Sequence, residues 1–148
     1  MKASAIYCVN MVDCIFCKII RGELASTKVY EDADVLGFLD IKPINPGHTL
    51  VIPKQHYVNI HDMPDSLVAK VAVTAKKVAD AILKIGAKGV NIGMNNGAYA
   101  GQIVFHAHVH VMPRYGNDSF SHWVGKEYDG NEREEVATKI RKQLNLPT

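Results

Sequence analysis

The chain has 148 residues, of which 47% are hydrophobic and 22% charged, the size and balance of a single globular domain. A formal net charge of +2 is too small for a surface built around a polyanion, which argues against a nucleic-acid partner. No apolar run approaches the ~18–20 residues of a membrane helix, and Met1 to Asn10 makes a poor signal peptide, so the expectation is a cytoplasmic protein with no membrane partner.

Residues 1–13 read as an N-terminal extension, and Met11 offers a second start that would leave Cys8 outside the functional chain. Three cysteines, an odd number, argue against a closed disulfide framework. Cys14 and Cys17 form a C-x-x-C pair, which reads as metal-binding or redox-active in a reduced compartment. Residues 15–21 suggest a short helix ended by Gly22. Val29–Glu31 and Val35–Asp40 read as strands around a polar turn. Residues 42–47 (KPINPG) form a stiff turn, because two prolines fix φ, and His48–Pro53 follows as a third strand. A helix is expected from Asp62, with Pro64 where a missing N–H costs nothing. Leu67, Val71, Ala75, Val78, Ile82 and Ile85 place one apolar stripe along it, and Gly86 and Gly89 end it. Val90–Met94 is the fourth strand, Asn95–Gln102 a glycine-containing loop, and Ile103–Met112 the fifth strand. Asn131–Leu144 suggests a last helix with Val136, Ile140 and Leu144 on one stripe, and Asn131 with Glu134 as a capping box. Together these predict an α+β fold with an antiparallel sheet.

Seven histidines stand at 48, 56, 61, 106, 108, 110 and 122. On a strand, side chains alternate faces. His106, His108 and His110 then share one face, about 6.6 Å apart from one to the next, while Phe105, Ala107, Val109 and Val111 share the other, against the core. Burying three imidazoles without partners would cost several kcal/mol, so the row reads as chemistry. Two chemistries fit it. One is metal ligation by His-x-His. The other is phosphate chemistry, in which a neutral imidazole attacks and N–H groups hold the oxyanion. A P-loop NTPase is excluded, since no G-x-x-x-x-G-K-[ST] occurs.

The run His106-Ala107-His108-Val109-His110-Val111-Met112 resembles the signature of the histidine triad (HIT) family. The resemblance extends from Cys14 to Tyr115 in the expected order. Cys14-Ile15-Phe16-Cys17-Lys18-Ile19-Ile20 looks like the opening of the family's Hint branch; Phe38-Leu39-Asp40-Ile41, Gly47-His48-Thr49-Leu50-Val51-Ile52-Pro53-Lys54 and Gly101-Gln102 follow it. After about residue 115 the chain diverges, so residues 14–148 are expected to form a single HIT domain with a divergent C-terminal segment. The resemblance implies a five-stranded antiparallel sheet with one long helix and a shorter C-terminal helix, the sheet extended across a homodimer. It implies a purine nucleoside phosphoramidase or nucleotide hydrolase working through a nucleotidyl-histidine intermediate and releasing a nucleoside monophosphate. His108 would be the nucleophile and His110 and His48 phosphate-site histidines. Asn95, Gln102 and the Gly97–Gly101 loop would orient the phosphate, Asp40 would accept from the ribose hydroxyls, and Phe16, Ile19, Phe38 and Ile41, with Ile15, Leu39 and Leu50, would wall the purine. Cys14, Cys17, His56 and His106 match the zinc ligands of members with a structural zinc, with His61 as a competing fourth ligand.

Departures from the pattern are Ile103, where many members place a hydroxyl residue, and Leu39 in place of a histidine. A dinucleoside polyphosphate hydrolase and a non-catalytic, zinc-stabilised nucleotide-binding adaptor are the alternatives. A uridylyl transferase stands lower, because such relatives carry Gln where this chain has His110. Trp123 is read as packing and kept outside the site.

Overall fold

The computed structural model describes residues 13–147. Of the expected N-terminal extension only Asp13 is described, and Cys8 and Met11 lie outside the described residues. Contacts divide the chain into two compact units, one ending at Asp118 and the other beginning at Ser119.

The first unit opens with helix α1 (Ile15–Ile20). It stops where expected: Gly22 takes φ 77°, a value that favours glycine, and its N–H donates back to Ile19 O. Strands β1 (Lys28–Glu31), β2 (Val35–Leu39) and β3 (Thr49–Pro53) follow, then helix α2 (Asp65–Lys84), β4 (Gly89–Gly93) and β5 (Val109–Arg114). The sheet is five-stranded, in the order β1-β2-β3-β5-β4, and every pairing is antiparallel. This is the expected α+β architecture.

Alternation along the strands gives the sheet two apolar faces. Val35, Val51 and Val111 pack with Val71, Ala75, Val78 and Ile82 of α2. Leu36, Phe38, Leu50 and Ile52 pack with Phe16 and Ile19 of α1. The long helix buries the expected stripe, except that Ile85 falls at its C-terminal cap and is exposed. The helix also begins later than Asp62, because a short 3₁₀ turn (Ile60–Asp62) precedes Pro64, the N-cap residue.

The fifth strand departs most from expectation. It starts at Val109, not Ile103, and residues 103–108 form an irregular approach. Phe105 is 49% exposed rather than in the core. Ala107 is buried there, its N–H donating to Tyr57 O at 2.7 Å. A main-chain bond to the segment after β3 therefore replaces a ladder bond at this point.

In the second unit, helix α3 (Glu132–Gln143) carries Glu132, Glu134 and Glu135 in its first turn and Arg141 and Lys142 in its last, the charge order the helix dipole favours. Asn131 is the N-cap residue, but its side chain makes no capping bond, so the expected capping box is not formed. Ile140 and Leu144 are exposed, and Trp123, read from sequence as packing, is fully exposed. No described helix is long and apolar enough to cross a membrane.

Candidate functional site: two histidine clusters on one sheet face

Register places the imidazoles. Leu50 of β3 pairs with His110 of β5. His48 lies two residues before Leu50 and so falls on the same face, diagonal to His110. His108 lies two residues before His110, and Phe16 of α1 packs edge-on against it, ring centroids 5.3 Å apart. His48, His106 and His108 are buried.

The hydrogen bonds fix the tautomers. Ile44 N–H donates to His48 Nδ1 at 3.2 Å, so in the neutral ring the proton sits on Nε2. That nitrogen lies 2.9 Å from His110 Nδ1, which must then accept, leaving the His110 proton on Nε2. His108 Nδ1 lies 2.6 Å from His106 O. A carbonyl only accepts, so Nδ1 carries the proton and Nε2 of His108 is left with its lone pair. The acceptor that sets this tautomer, invisible in the sequence, is the main chain two residues back.

Burial keeps these rings neutral. It lowers the pKa of His48 and His108 below the ordinary 6.5, with the Asp40 carboxylate opposing the shift in both. His110 is pushed down to about 4, by burial first and then by repulsion from His108 and His48. Asp40 stands at the mouth of this cluster. Its Oδ1 accepts from Lys42 N–H at 2.8 Å, and its Oδ2 lies 3.7 Å from His48 Nδ1, which is committed to Ile44. Asp40, His48 and His110 come within 4.8 Å of one another, but the Ile44 N–H holds His48 in a tautomer whose Nε2 has no lone pair for a cation.

The second cluster comprises Cys14, Cys17, His56 and His106, whose ligand atoms also lie within 4.8 Å of one another. Cys14 is the N-cap residue of α1 but makes no side-chain cap bond; its sulfur faces His106 Nδ1 at 3.5 Å. Cys17 Sγ lies 3.6 Å from the same nitrogen and 3.4 Å from His56 Nδ1. A tetrahedral ion with bonds of about 2.3 Å to sulfur and about 2.05 Å to nitrogen separates its S and N ligand atoms by about 3.5 Å. The donor set and its spacing therefore fit such an ion. His106 is fully buried, with a pKa pushed down to about 4 chiefly by burial. Its Nε2 lies 2.9 Å from Pro53 O, and that acceptor leaves the Nδ1 lone pair facing the thiols, the outer contact that orients ligating imidazoles. His56 completes the cluster; His61 lies in the 3₁₀ turn and is not part of it.

The remaining expected residues are placed as follows. Phe16, Ile19 and Phe38 are buried in one cluster with Leu50, and Phe16 meets Phe38 edge-on at 5.5 Å. Ile41, at 86% exposure, stands in the turn after β2. Asn95 Nδ2 donates to Gly101 O at 3.3 Å. The Gln102 amide is committed to main chain: Nε2 donates to Val58 O and Val104 O, and Oε1 accepts from Gly97 N–H. Gln102 thus fastens the 97–102 loop. Ile103 is exposed and brings no hydroxyl. Sequence reasoning did not reach the main-chain atoms that set the tautomers, nor Asn45 and Asp118, which hold the turn between β2 and β3. Their polar side chains beside prolines and a strand end were the sole signal.

The sheet and its imidazole row define a small α+β protein with a histidine-lined site. The HIT domain family matches residues 21–117, and the chain belongs to that family. An uncharacterised HIT-like protein of Methanocaldococcus jannaschii is 51% identical over 105 residues, 71% of this chain and 81% of that one. An adenosine 5′-monophosphoramidase of Schizosaccharomyces pombe is 41% identical over 114 residues, 77% of this chain and 83% of its own. Among solved structures, a Streptococcus mutans protein matches with a TM-score of 0.85 and 46% identity, over 90% of this chain and 87% of that one. A zinc-bound histidine triad family protein of Mycobacterium smegmatis matches with a TM-score of 0.71 and 39% identity, over 90% and 96% of the two chains.

Proposed function

We propose that the protein is a hydrolase of purine nucleoside 5′-phosphoramidates, with His108 as the nucleophile. The observation that carries this reading is the His108 tautomer: Nδ1 is committed to His106 O, which leaves a neutral Nε2 lone pair beside two further imidazoles. Nε2 attacks the α-phosphorus, a P–N bond forms to His108, and the bond to the leaving amine breaks. The amine takes its proton from water. His110 presents Nε2–H to a phosphate oxygen, a donor where negative charge develops. Water then attacks phosphorus, releases the nucleoside monophosphate and returns the lone pair to His108. Asp40, which only accepts, suits a ribose diol, and the exposed Ile41 supplies apolar surface for the base, with Phe16, Ile19 and Phe38 buried in the core on the α1 side of the sheet. The 41% identity to a protein named adenosine 5′-monophosphoramidase supports an adenosine substrate over a dinucleoside polyphosphate.

In this reading Cys14, Cys17, His56 and His106 hold a structural zinc, which when bound ties α1, the end of β3 and the approach to β5 together. Two thiolate ligands suit a reducing compartment, in keeping with a cytoplasmic placement. The reading includes a homodimer through β4. The edge strand β1 carries Lys28 and Glu31, charges that discourage pairing, whereas β4 (GVNIG) has none and exposes Ile92. Incubation with adenosine 5′-phosphoramidate, followed by phosphorus NMR, tests the activity. Conversion to AMP is expected, and unchanged substrate at stoichiometric enzyme would sink the phosphoramidase reading.

A further inference from the structure

The turn between β2 and β3 supplies the N–H that sets the His48 tautomer, and the turn is itself tied down from outside the imidazole row. Asn45 Nδ2 donates to Pro113 O at 2.9 Å and to Asp118 Oδ2 at 2.8 Å. Both partners are acceptors, so the amide can face only one way. The same Asp118 oxygen takes Tyr115 N–H at 3.1 Å and lies 3.7 Å from Arg114 Nη1. Tyr115 OH donates to Pro46 O at 3.1 Å. Within the turn, His48 N–H donates to Asn45 O at 3.0 Å. Gly47 sits at φ +95°, and a Cβ there would meet Pro113 Cγ at 3.3 Å, so the turn lies hard against the end of β5.

We infer that Asn45 and Asp118 are positioning residues: by anchoring the 42–47 turn to the end of β5 they hold Ile44 N–H on His48 Nδ1, and through His48 Nε2 they decide whether His110 Nε2 presents a proton or a lone pair to the substrate. Without that N–H, His48 is free to carry its proton on Nδ1, where Asp40 Oδ2 waits at 3.7 Å. Nε2 then becomes an acceptor, His110 must protonate Nδ1 to meet it, and His110 Nε2 turns a lone pair toward the phosphate in place of a proton. A single lost anchor reverses the relay and puts a repulsive atom where a donor is needed. The kinetic consequence rests on the proposed phosphoramidase reading; the tautomer consequence stands on geometry alone.

The test uses the full chain labelled with ¹⁵N-histidine and long-range ¹H–¹⁵N correlation at neutral pH. Wild type is expected to show His48 Nδ1 and His110 Nδ1 unprotonated and both Nε2 atoms protonated. Asn45→Ala and Asp118→Ala should shift both rings toward Nδ1–H, and Asp118→Asn, which keeps an oxygen for Asn45 and Tyr115, should keep the wild-type pattern. Asn45→Asp, equal in size but without the amide donors, gives the same reading should an alanine variant fold poorly. In turnover, the shifted variants should lose kcat about 10–100-fold, with KM moving far less. Folded Asn45→Ala or Asn45→Asp protein with unchanged tautomers would overturn the inference whatever its activity. A wild-type enzyme without phosphoramidase activity but with these tautomer shifts would overturn the proposed function and leave the positioning role intact.

Discussion

One sheet face carries two histidine clusters that differ in how their nitrogens are satisfied. In the Cys14/Cys17/His56/His106 cluster, ring nitrogens and sulfurs point at one another at 3.4–3.6 Å. In the His48/His108/His110 cluster each ring is tied, directly or through a neighbour, to a main-chain atom, and lone pair and proton alternate. A convergent donor set wants a cation at its centre; an alternating chain leaves a lone pair on His108 Nε2 and a proton on His110 Nε2. The two clusters meet at His106, whose side chain serves the first and whose carbonyl serves the second.

The sharpest way to separate them is to remove one at a time. His108→Ala should lower kcat/KM at least about 10⁴-fold, as loss of a nucleophile does, with metal content unchanged by elemental analysis. Equal metal loss would show that the clusters are not independent. Cys17→Ser should do the reverse, abolishing metal binding and lowering Tm. An ion present at about 1,000 times its dissociation constant contributes about 4 kcal/mol of stability, and chelation of wild type should lower Tm to match. Asp40→Asn should raise KM about tenfold or more, the scale of a hydrogen bond to a charged group, with little change in kcat.

The smallest effect concerns pH. His110 has its pKa pushed down to about 4 in the fold against about 6.5 for the unfolded chain. Between those values the unfolded state binds more protons, so stability is fully present above about pH 6.5 and is lost progressively as pH falls toward about 4. Denaturant melts at pH 7 and pH 5 check this; equal stability would contradict the neutral His110 ring. An unperturbed histidine would lose activity below about pH 6. Burial lowers the pKa of His108, so the acid limb of kcat/KM should fall below that point.

The sheet and the long helix were legible in the sequence because period-two and period-3.6 patterns are local signals, whereas the Cys14/Cys17/His56/His106 set came through the family resemblance, since its members lie up to 92 residues apart. The alternation rule put His106, His108 and His110 on one face, and the meeting of His110 with His48 follows from the Leu50–His110 register. The same rule overextended β5 and buried Phe105, because the Ala107–Tyr57 bond that interrupts the strand joins segments far apart in sequence. Tautomers were illegible for a related reason. They depend on Ile44 N–H and His106 O, main-chain groups that every residue carries and that only the fold can aim. The resemblance assigns Gln102 to phosphate orientation; in the fold its amide also bonds Gly97 N–H, Val58 O and Val104 O, and nothing local reveals the partner at Val58.

The central claim is that His108 forms a covalent bond to phosphorus. Rapid quenching of the enzyme with adenosine 5′-phosphoramidate, followed by intact-mass and peptide mapping under mildly alkaline conditions, tests it directly. An adenylyl adduct on the peptide containing His108, absent in His108→Ala, is the predicted result. Turnover with no adduct, or with the adduct on another residue, would contradict it.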